Sequence, residues 1–275
     1  MPVVVQPPAT SANLGPGFDC LGLALELRDR VIFEPAHADS VQVTGEGAGE
    51  VSTGSDHLVL ASFHRAFREC GRQAPPVALT CQNVIPHGRG LGSSSAAIVA
   101  GLAGARAMGA DLDDTALLRI ATDIEGHPDN VAPALLGGLT IAWDGQAVRL
   151  DPLSVPVTVL VPEHRLATHT ARGLLPETLP FADAVHAAAR SALVVAALTA
   201  FPDRLLAATE DRLHQDYRRP AYPQSWALVQ ELRQQGVPAA ISGAGPSVLA
   251  FSRVTAPGWR ALDLDIASQG VLVDA

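Results

Sequence analysis

The chain contains no lysine; all nineteen of its basic residues are arginine. That absence excludes a Walker A loop, which needs Gly-Lys-Ser/Thr, and the strand lysine of the protein kinases. It also excludes Schiff-base chemistry with pyridoxal phosphate. Cysteine is scarce. Cys20, Cys70 and Cys81 are odd in number and form no Cys-x-x-Cys pair, which points away from zinc and toward buried thiols in a reducing compartment. Positive charge is in deficit: 19 − 28 = −9, which argues against nucleic acid as the main partner. Long apolar runs are missing too. The stretch at residues 192–200 is far below a membrane span, and no basic segment followed by an apolar one opens the chain. A cytoplasmic protein with no membrane partner is expected.

What is present is a chain of 275 residues, 48% hydrophobic and 17% charged, enough for a packed core in one large domain or two smaller ones. Asp151-Pro152 reads as a boundary, giving an expected division into residues 1–152 and 153–275. The densest chemistry lies at Pro86-His87-Gly88-Arg89-Gly90-Leu91-Gly92-Ser93-Ser94-Ser95-Ala96. Three alternating glycines permit positive φ and close backbone approach, and the serines open a small-residue helix expected from Ser94 to about Met108. Such a loop aims unpaired N–H groups at one point, where the helix dipole also favours negative charge. It reads as a phosphate cradle, with Ser93 to Ser95 able to cap the helix or reach a phosphate or a metal. A plain Gly-rich turn with a serine cap explains the same residues, and the loop alone does not separate the two.

Other segments add to it. Residues 7–19, with Asn13 and Asp19, read as an ordered Pro- and Gly-rich loop. Strands are expected at 3–5, 20–26, 31–34, 41–43, around 77–81, at 140–143, 147–150, 157–161, 239–241 and 248–251. Helices are expected at 56–70, from Asp113/Asp114 to Gly126, and at 131–136, 181–199, 204–214 and 224–235. Between two helices, Glu125-Gly126-His127-Pro128-Asp129-Asn130 crowds two carboxylates, an imidazole and an amide together. A helix stop and an Asx turn account for Gly126, Pro128 and one of Asp129/Asn130, but not for Glu125 and His127 beside them. Arg218 and Arg219 read either as solvated surface or as a carboxylate clamp. Ser242-Gly243-Ala244-Gly245-Pro246-Ser247 is a second tight glycine loop, able to approach the first.

Taken together, PATSANLGPGFD at residues 8–19, PHGRGLGSSSAA at 86–97, EGHPDNVAPALLGG at 125–138 and SGAGPS at 242–247 resemble the GHMP small-molecule kinases. The resemblance implies an α+β fold of two domains, a ribosomal-S5-like N-terminal domain with a left-handed crossover and a ferredoxin-like C-terminal domain. It implies ATP with its phosphates on the residues 86–96 loop, Mg²⁺ held by Ser94 and Glu125 with Ser93 the alternate hydroxyl, and a homodimer. The pattern is similar to members that phosphorylate the side-chain hydroxyl of L-homoserine on the way to threonine. By that likeness Asn13, Asp19, His127, Thr168, Arg172 and Arg218 face the substrate. Arg172 and Arg218 would hold its carboxylate and Asp19 its ammonium group; Arg218 is preferred to Arg219 because it directly follows Tyr217. Asp129 is the candidate base with Asn130 beside it; the alternative is proton loss straight to phosphate, with both residues only orienting the hydroxyl.

Overall fold

The computed structural model describes residues 1–166 and 171–275. Among these the strands are, in chain order, Val3–Gln6 (β1), Pro8–Asn13 (β2), Gly17–Arg28 (β3), Arg30–Pro35 (β4), Ser40–Gly45 (β5), Val77–Asn83 (β6), Leu139–Trp143 (β7), Gln146–Leu150 (β8), Val157–Val161 (β9), Ala239–Ile241 (β10), Val248–Ala250 (β11), Arg260–Leu264 (β12) and Leu272–Asp274 (β13). The helices are Leu58–Glu69 (α1), Ser93–Ala107 (α2), Asp114–Glu125 (α3), Val131–Leu136 (α4), Phe181–Thr199 (α5), Leu205–Ala208 (α6), Gln215–Arg218 (α7) and Pro223–Gln234 (α8). They build three sheets, of order β13-β1-β4-β6-β5, β2-β3-β7-β8 and β10-β11-β9-β12. The α+β architecture is the expected one. β5 and β6 run parallel because α1 carries the chain back between them. The closing strand β13 pairs with β1, so the end of the chain returns to the first sheet.

Helices α1 and α2 cover that sheet. Phe33 of β4 stacks on Phe63 of α1 at 5.5 Å between ring centroids, and Phe63 meets Phe67 at 5.2 Å. Full burial of each such ring contributes roughly 1.5–3 kcal/mol. The small residues of α2 make this packing possible: a Cβ on Gly104 would run into the Phe33 ring. A second core joins Leu23 and Leu25 of β3 to Val159, Leu249, Val194 and Leu198; a third gathers around Tyr222, Leu228, Ile241 and Val248. Helix α5 is long and apolar enough to cross a membrane by length and composition. Its C-terminal part packs, with Val194, Ala197 and Leu198 buried in the second core, and Arg190 pairs with Glu210 at 3.1 Å.

Two expectations are corrected. The segment at residues 7–19 is not wholly a loop, because β2 occupies Pro8–Asn13 and β3 begins at Gly17. Pro8 opens its strand, where a missing N–H is tolerated, and the buried hydroxyls of Thr10 and Ser11 meet Asn130 at 2.7 Å and Ser242 at 2.8 Å. Those partners are 120 and 231 residues away in sequence, so the polar look of the segment was misleading. The helix expected at 204–214 ends at Ala208. Asp211 then accepts the backbone N–H groups of Leu213, His214 and Gln215 at 2.8, 3.1 and 2.8 Å, which turns the chain into α7.

Candidate active site

The glycine loop leaves β6 beside a buried carboxylate. Asp29, just before β4, accepts the N–H groups of Val84 and Ile85 at 2.6 and 2.9 Å, both on Oδ1. Gly88, Gly90 and Gly92 follow at φ 64°, 70° and 68°. Left-handed residues alternating with ordinary ones let successive amides converge on an anion. A Cβ on Gly90 would strike the Ser242 carbonyl, and one on Gly92 the Thr10 hydroxyl. The second glycine loop therefore does approach the first; Ser242 Oγ donates to the Gly90 carbonyl at 2.6 Å.

Gly92 is the N-cap of α2, and no side chain caps this helix. The serines do not cap, contrary to one of the roles open to them. Ser94 Oγ instead donates to Glu125 Oε1 at 2.7 Å, and Ser95 Oγ is buried with no partner among the described residues. No described side chain caps the first amides of α2. Arg89 braces the loop, its guanidinium donating to the carbonyls of His87 at 3.2 Å, Pro162 at 2.9 Å and Glu163 at 2.7 Å. Leu91 is buried in the second core and its carbonyl accepts the Thr10 N–H at 3.1 Å. Pro86 lines a shallow surface hollow with Arg89.

Helix α3 delivers Glu125 as its last residue, and Gly126 at φ 89° ends it. The chain then places His127 Nδ1 2.6 Å from Asp129 Oδ1, which also accepts from Asn130 Nδ2 at 3.3 Å. Asn130 in turn accepts from the Thr10 hydroxyl at 2.7 Å. Thr10 is a member of this network that sequence reasoning missed. Asp129 is 2% exposed. Burial works against the His127 cation, but the hydrogen bond and charge of Asp129 outweigh it, and the imidazole titrates above its ordinary range.

The opposite wall comes from the N-terminal turn and α7. Asn13, Leu14 and Asp19 hold φ 69°, 49° and 58°, three left-handed non-glycine residues within one turn region, of the kind found at functional sites. Asn13 donates to the Gly243 carbonyl at 2.9 Å and accepts the Asp19 N–H at 3.0 Å, so its amide braces two loops. Asp19 is gripped by both terminal nitrogens of Arg172, at 2.6 and 2.9 Å, and this pairing raises the pKa of the arginine. Arg218 is 1% exposed. Its Nε donates to the Ala171 carbonyl at 3.1 Å and its guanidinium sits 4.9 Å over the Phe18 ring. Burial pulls its pKa down, and no described carboxylate pairs with it. Arg219 lies elsewhere, over Trp226 at 5.1 Å. Thr168 falls outside the described residues.

These groups converge. One cavity of about 230 Å³ is lined by the three loop glycines, Ser93, Ser94, Glu125, His127, Asp129, Asn130, Asn13, Asp19, Arg172 and Arg218. A second cavity of about 370 Å³ meets it at Ser93 and Ser94 and runs the other way, between Val31, Val51, Leu58, Val59, Ala96 and Ala97, with His87 at its side. Its polar members Asp29 and His57 were missed by sequence reasoning, because they belong to no motif. Among the described residues no three of His, Cys, Asp and Glu cluster as a metal cage.

The chain matches known proteins along its length. The sequence description of the GHMP kinases N terminal domain fits residues 57–138, and that of the GHMP kinases C terminal region fits residues 190–257. A homoserine kinase of Streptomyces avermitilis is 50% identical over 98% of this chain and 95% of its own length. One from Rhodococcus erythropolis is 44% identical over 96% of this chain and 94% of its own. The crystal structure of homoserine kinase from Cytophaga hutchinsonii superposes with a TM-score of 0.85 at 25% identity, covering 99% of this chain and 97% of that one.

Proposed function

We propose that this chain, which belongs to the GHMP kinase family, transfers the terminal phosphoryl group of ATP to the side-chain hydroxyl of L-homoserine, yielding O-phosphohomoserine and ADP for threonine biosynthesis. One observation carries the substrate assignment. Beside an uncapped, glycine-lined helix start lies a cavity of about 230 Å³ holding a buried arginine without a carboxylate partner among the described residues and a bidentate Asp19–Arg172 pair. A small zwitterion with a hydroxyl at its far end complements that arrangement. Arg218 and Arg172 would take its carboxylate, and Asp19 its ammonium group. A sugar or an isoprenoid alcohol would leave Arg218 buried and unpaired, which is costly.

Phosphoryl transfer asks for alignment and charge neutralisation more than covalent help. The substrate oxygen forms its bond to the γ-phosphorus as the bond to the ADP oxygen breaks, and the hydroxyl proton must leave. Asp129 is held by His127 and Asn130 through Oδ1, and Oδ2 has no described partner. We assign Oδ2 to orient that hydroxyl and accept its proton. The amides at the start of α2 and of the glycine loop would receive the transferring phosphoryl oxygens. The donor set also fits Mg²⁺, since Ser94 and Glu125 offer two hard oxygens 2.7 Å apart. Bound there with the nucleotide, Mg²⁺ would neutralise phosphate charge.

In this reading residues 1–152 carry the nucleotide and residues 153–275 close the substrate side, with β13 tying the two together. The site is cytoplasmic and the assembly a homodimer, the latter checked by sedimentation. The deciding experiment is ADP release from MgATP with L-homoserine, L-serine, L-threonine, mevalonate and galactose, the product read by phosphorus NMR. Homoserine-dependent ADP with O-phosphohomoserine as product is expected. Turnover of another alcohol in its place overturns the substrate assignment.

A further inference from the structure

Asn130 stands at the N-cap of α4, yet its amide does not cap that helix. The side chain is held from both ends instead. Its Oδ1 accepts from the Thr10 hydroxyl at 2.7 Å, and its Nδ2 donates to Asp129 Oδ1 at 3.3 Å. A carboxylate only accepts, so the second bond fixes which end of the amide carries nitrogen. Nδ2 has another N–H, without a described partner, and Asn130 lines the cavity beside Asp129, Ser93 and Gly92. Thr10 is fully buried in β2, 120 residues away in sequence. Its backbone N–H donates to the Leu91 carbonyl at 3.1 Å, and a Cβ on Gly92 would collide with its hydroxyl oxygen. One residue thus touches both the glycine loop and the amide that braces Asp129. Valine would suit a buried strand position equally well and carry no polar cost, so the hydroxyl has a use beyond packing.

Resting on the phosphoryl-transfer reading above, we propose that Thr10 is a positioning residue for that transfer: its hydroxyl locks the Asn130 amide, and through it Asp129, in register with the glycine loop. Asp129 Oδ1 takes bonds from His127 and Asn130, which leaves Oδ2 for the substrate hydroxyl. The torsion that turns an Asn amide is broad. Without a donor on Oδ1 the Asn130 amide swings, loosens its long bond to Asp129 and misdirects its free N–H. Oδ1 is then also buried without a partner. No proton passes through Thr10; the hydroxyl sets orientation only. A misplacement of about 1 Å is enough to cost about 100-fold in rate. In this reading binding rests on other groups, on Arg218, Arg172 and Asp19 for the amino acid and on the loop amides for the phosphates, so the loss falls on kcat.

The test uses the full chain with MgATP and L-homoserine. Thr10→Val keeps the shape and removes the hydroxyl. Its kcat should fall by about 10–100-fold, with both KM values within about threefold of wild type. Thr10→Ser keeps the hydroxyl and removes a buried methyl. It should lose Tm yet hold kcat within about threefold, so that rate and stability part company. Asn130→Ala shows whether Thr10 acts through the amide: adding Thr10→Val to it should change kcat by less than about twofold. Thr10→Ala takes the place of Thr10→Val should that variant not melt cooperatively. Three results overturn the inference: a folded Thr10→Val enzyme with wild-type kcat, a Thr10→Ser enzyme as slow as Thr10→Val, or effects of Thr10→Val and Asn130→Ala that multiply in the double variant. A wild type that phosphorylates none of the alcohols named above overturns the kinase reading and this inference together. An active wild type with an equally active Thr10→Val removes this inference alone.

Discussion

The cavity around Arg218 and the slot around His57 meet at Ser93 and Ser94 and share little else. In the first, most polar groups are held by a partner, Asp19 by Arg172, Asn130 by Thr10 and Ser94 by Glu125 from distant segments, and Asp129 by His127 within one turn. In the second the walls are mostly aliphatic, and the polar atoms without a described partner include His57 Nδ1 and Asp29 Oδ2. A zwitterion with a reacting hydroxyl needs its charges met in a fixed geometry before it arrives, because reorganising them during transfer would raise the barrier. A nucleobase needs area and a few directional bonds. In the proposed reading one loop would serve both, because its backbone, which carries no side-chain preference, would face the phosphates between the two ligands.

The contrast can be broken most directly at Asp129. Asp129→Asn keeps an acceptor for His127 and Asn130 but removes the base, and kcat should drop by about 10²–10⁴-fold. Calorimetric ATP affinity should stay within a factor of about two. Near-normal kcat would assign the proton to phosphate and leave Asp129 an orienting role. In the other cavity Asp29 is the sensitive group, and its effect is on stability. Burial, the main cause, raises its carboxyl to about 6. A group whose folded pKa is raised stabilises fully below its unfolded pKa, about 4, and loses that contribution as pH rises through about 6. The ionised carboxylate therefore costs on the order of 3 kcal/mol above pH 7. Asp29→Asn should melt higher than wild type at pH 8 and show about half that gain at pH 5; the same gain at both pH values breaks the argument.

Arg218→Met comes next. Loss of a charge-assisted bond to the substrate carboxylate should raise KM for homoserine by about 10–100-fold, corresponding to about 1.5–3 kcal/mol. The same change removes a buried, unpaired cation, so Tm should hold or rise. A fall in Tm with no change in KM would make Arg218 structural. The smallest effect sharpens the comparison most. If the two cavities are independent, the Asp29→Asn/Arg218→Met double variant should show stability coupling below about 0.5 kcal/mol. Coupling above about 1 kcal/mol would mean that the shared loop transmits strain between them.

Much of this site could be read before the fold was known, and the reasons are local. Alternating glycines ahead of a serine-led, small-residue helix have few physical uses, and Glu125 to Asn130 packs more chemistry than a helix stop needs. The misread parts share a cause. Residues 8–13 look like a polar loop until Asn130 and Ser242 satisfy Thr10 and Ser11. Residues 204–214 carry a helical pattern that the Asp211 carboxylate overrides through three backbone bonds. Asp29 and His57 carry no signal at all, for an aspartate before a strand and a histidine before a helix are ordinary boundary residues.

The amino-acid sequence by itself determined the left-handed glycine loop, the start of α2, the end of α3 at Gly126 and the set of side chains available for chemistry, because each follows from neighbouring residues and backbone sterics. Only the tertiary structure decided which of those side chains face a ligand. It tied Arg89 to the carbonyls of His87, Pro162 and Glu163, buried Arg218 without a carboxylate among the described residues, made Asn13 a brace and brought Asp29 and His57 to one slot. Those outcomes depend on contacts between segments up to 230 residues apart, where burial and the supply of hydrogen-bond partners set what each group does.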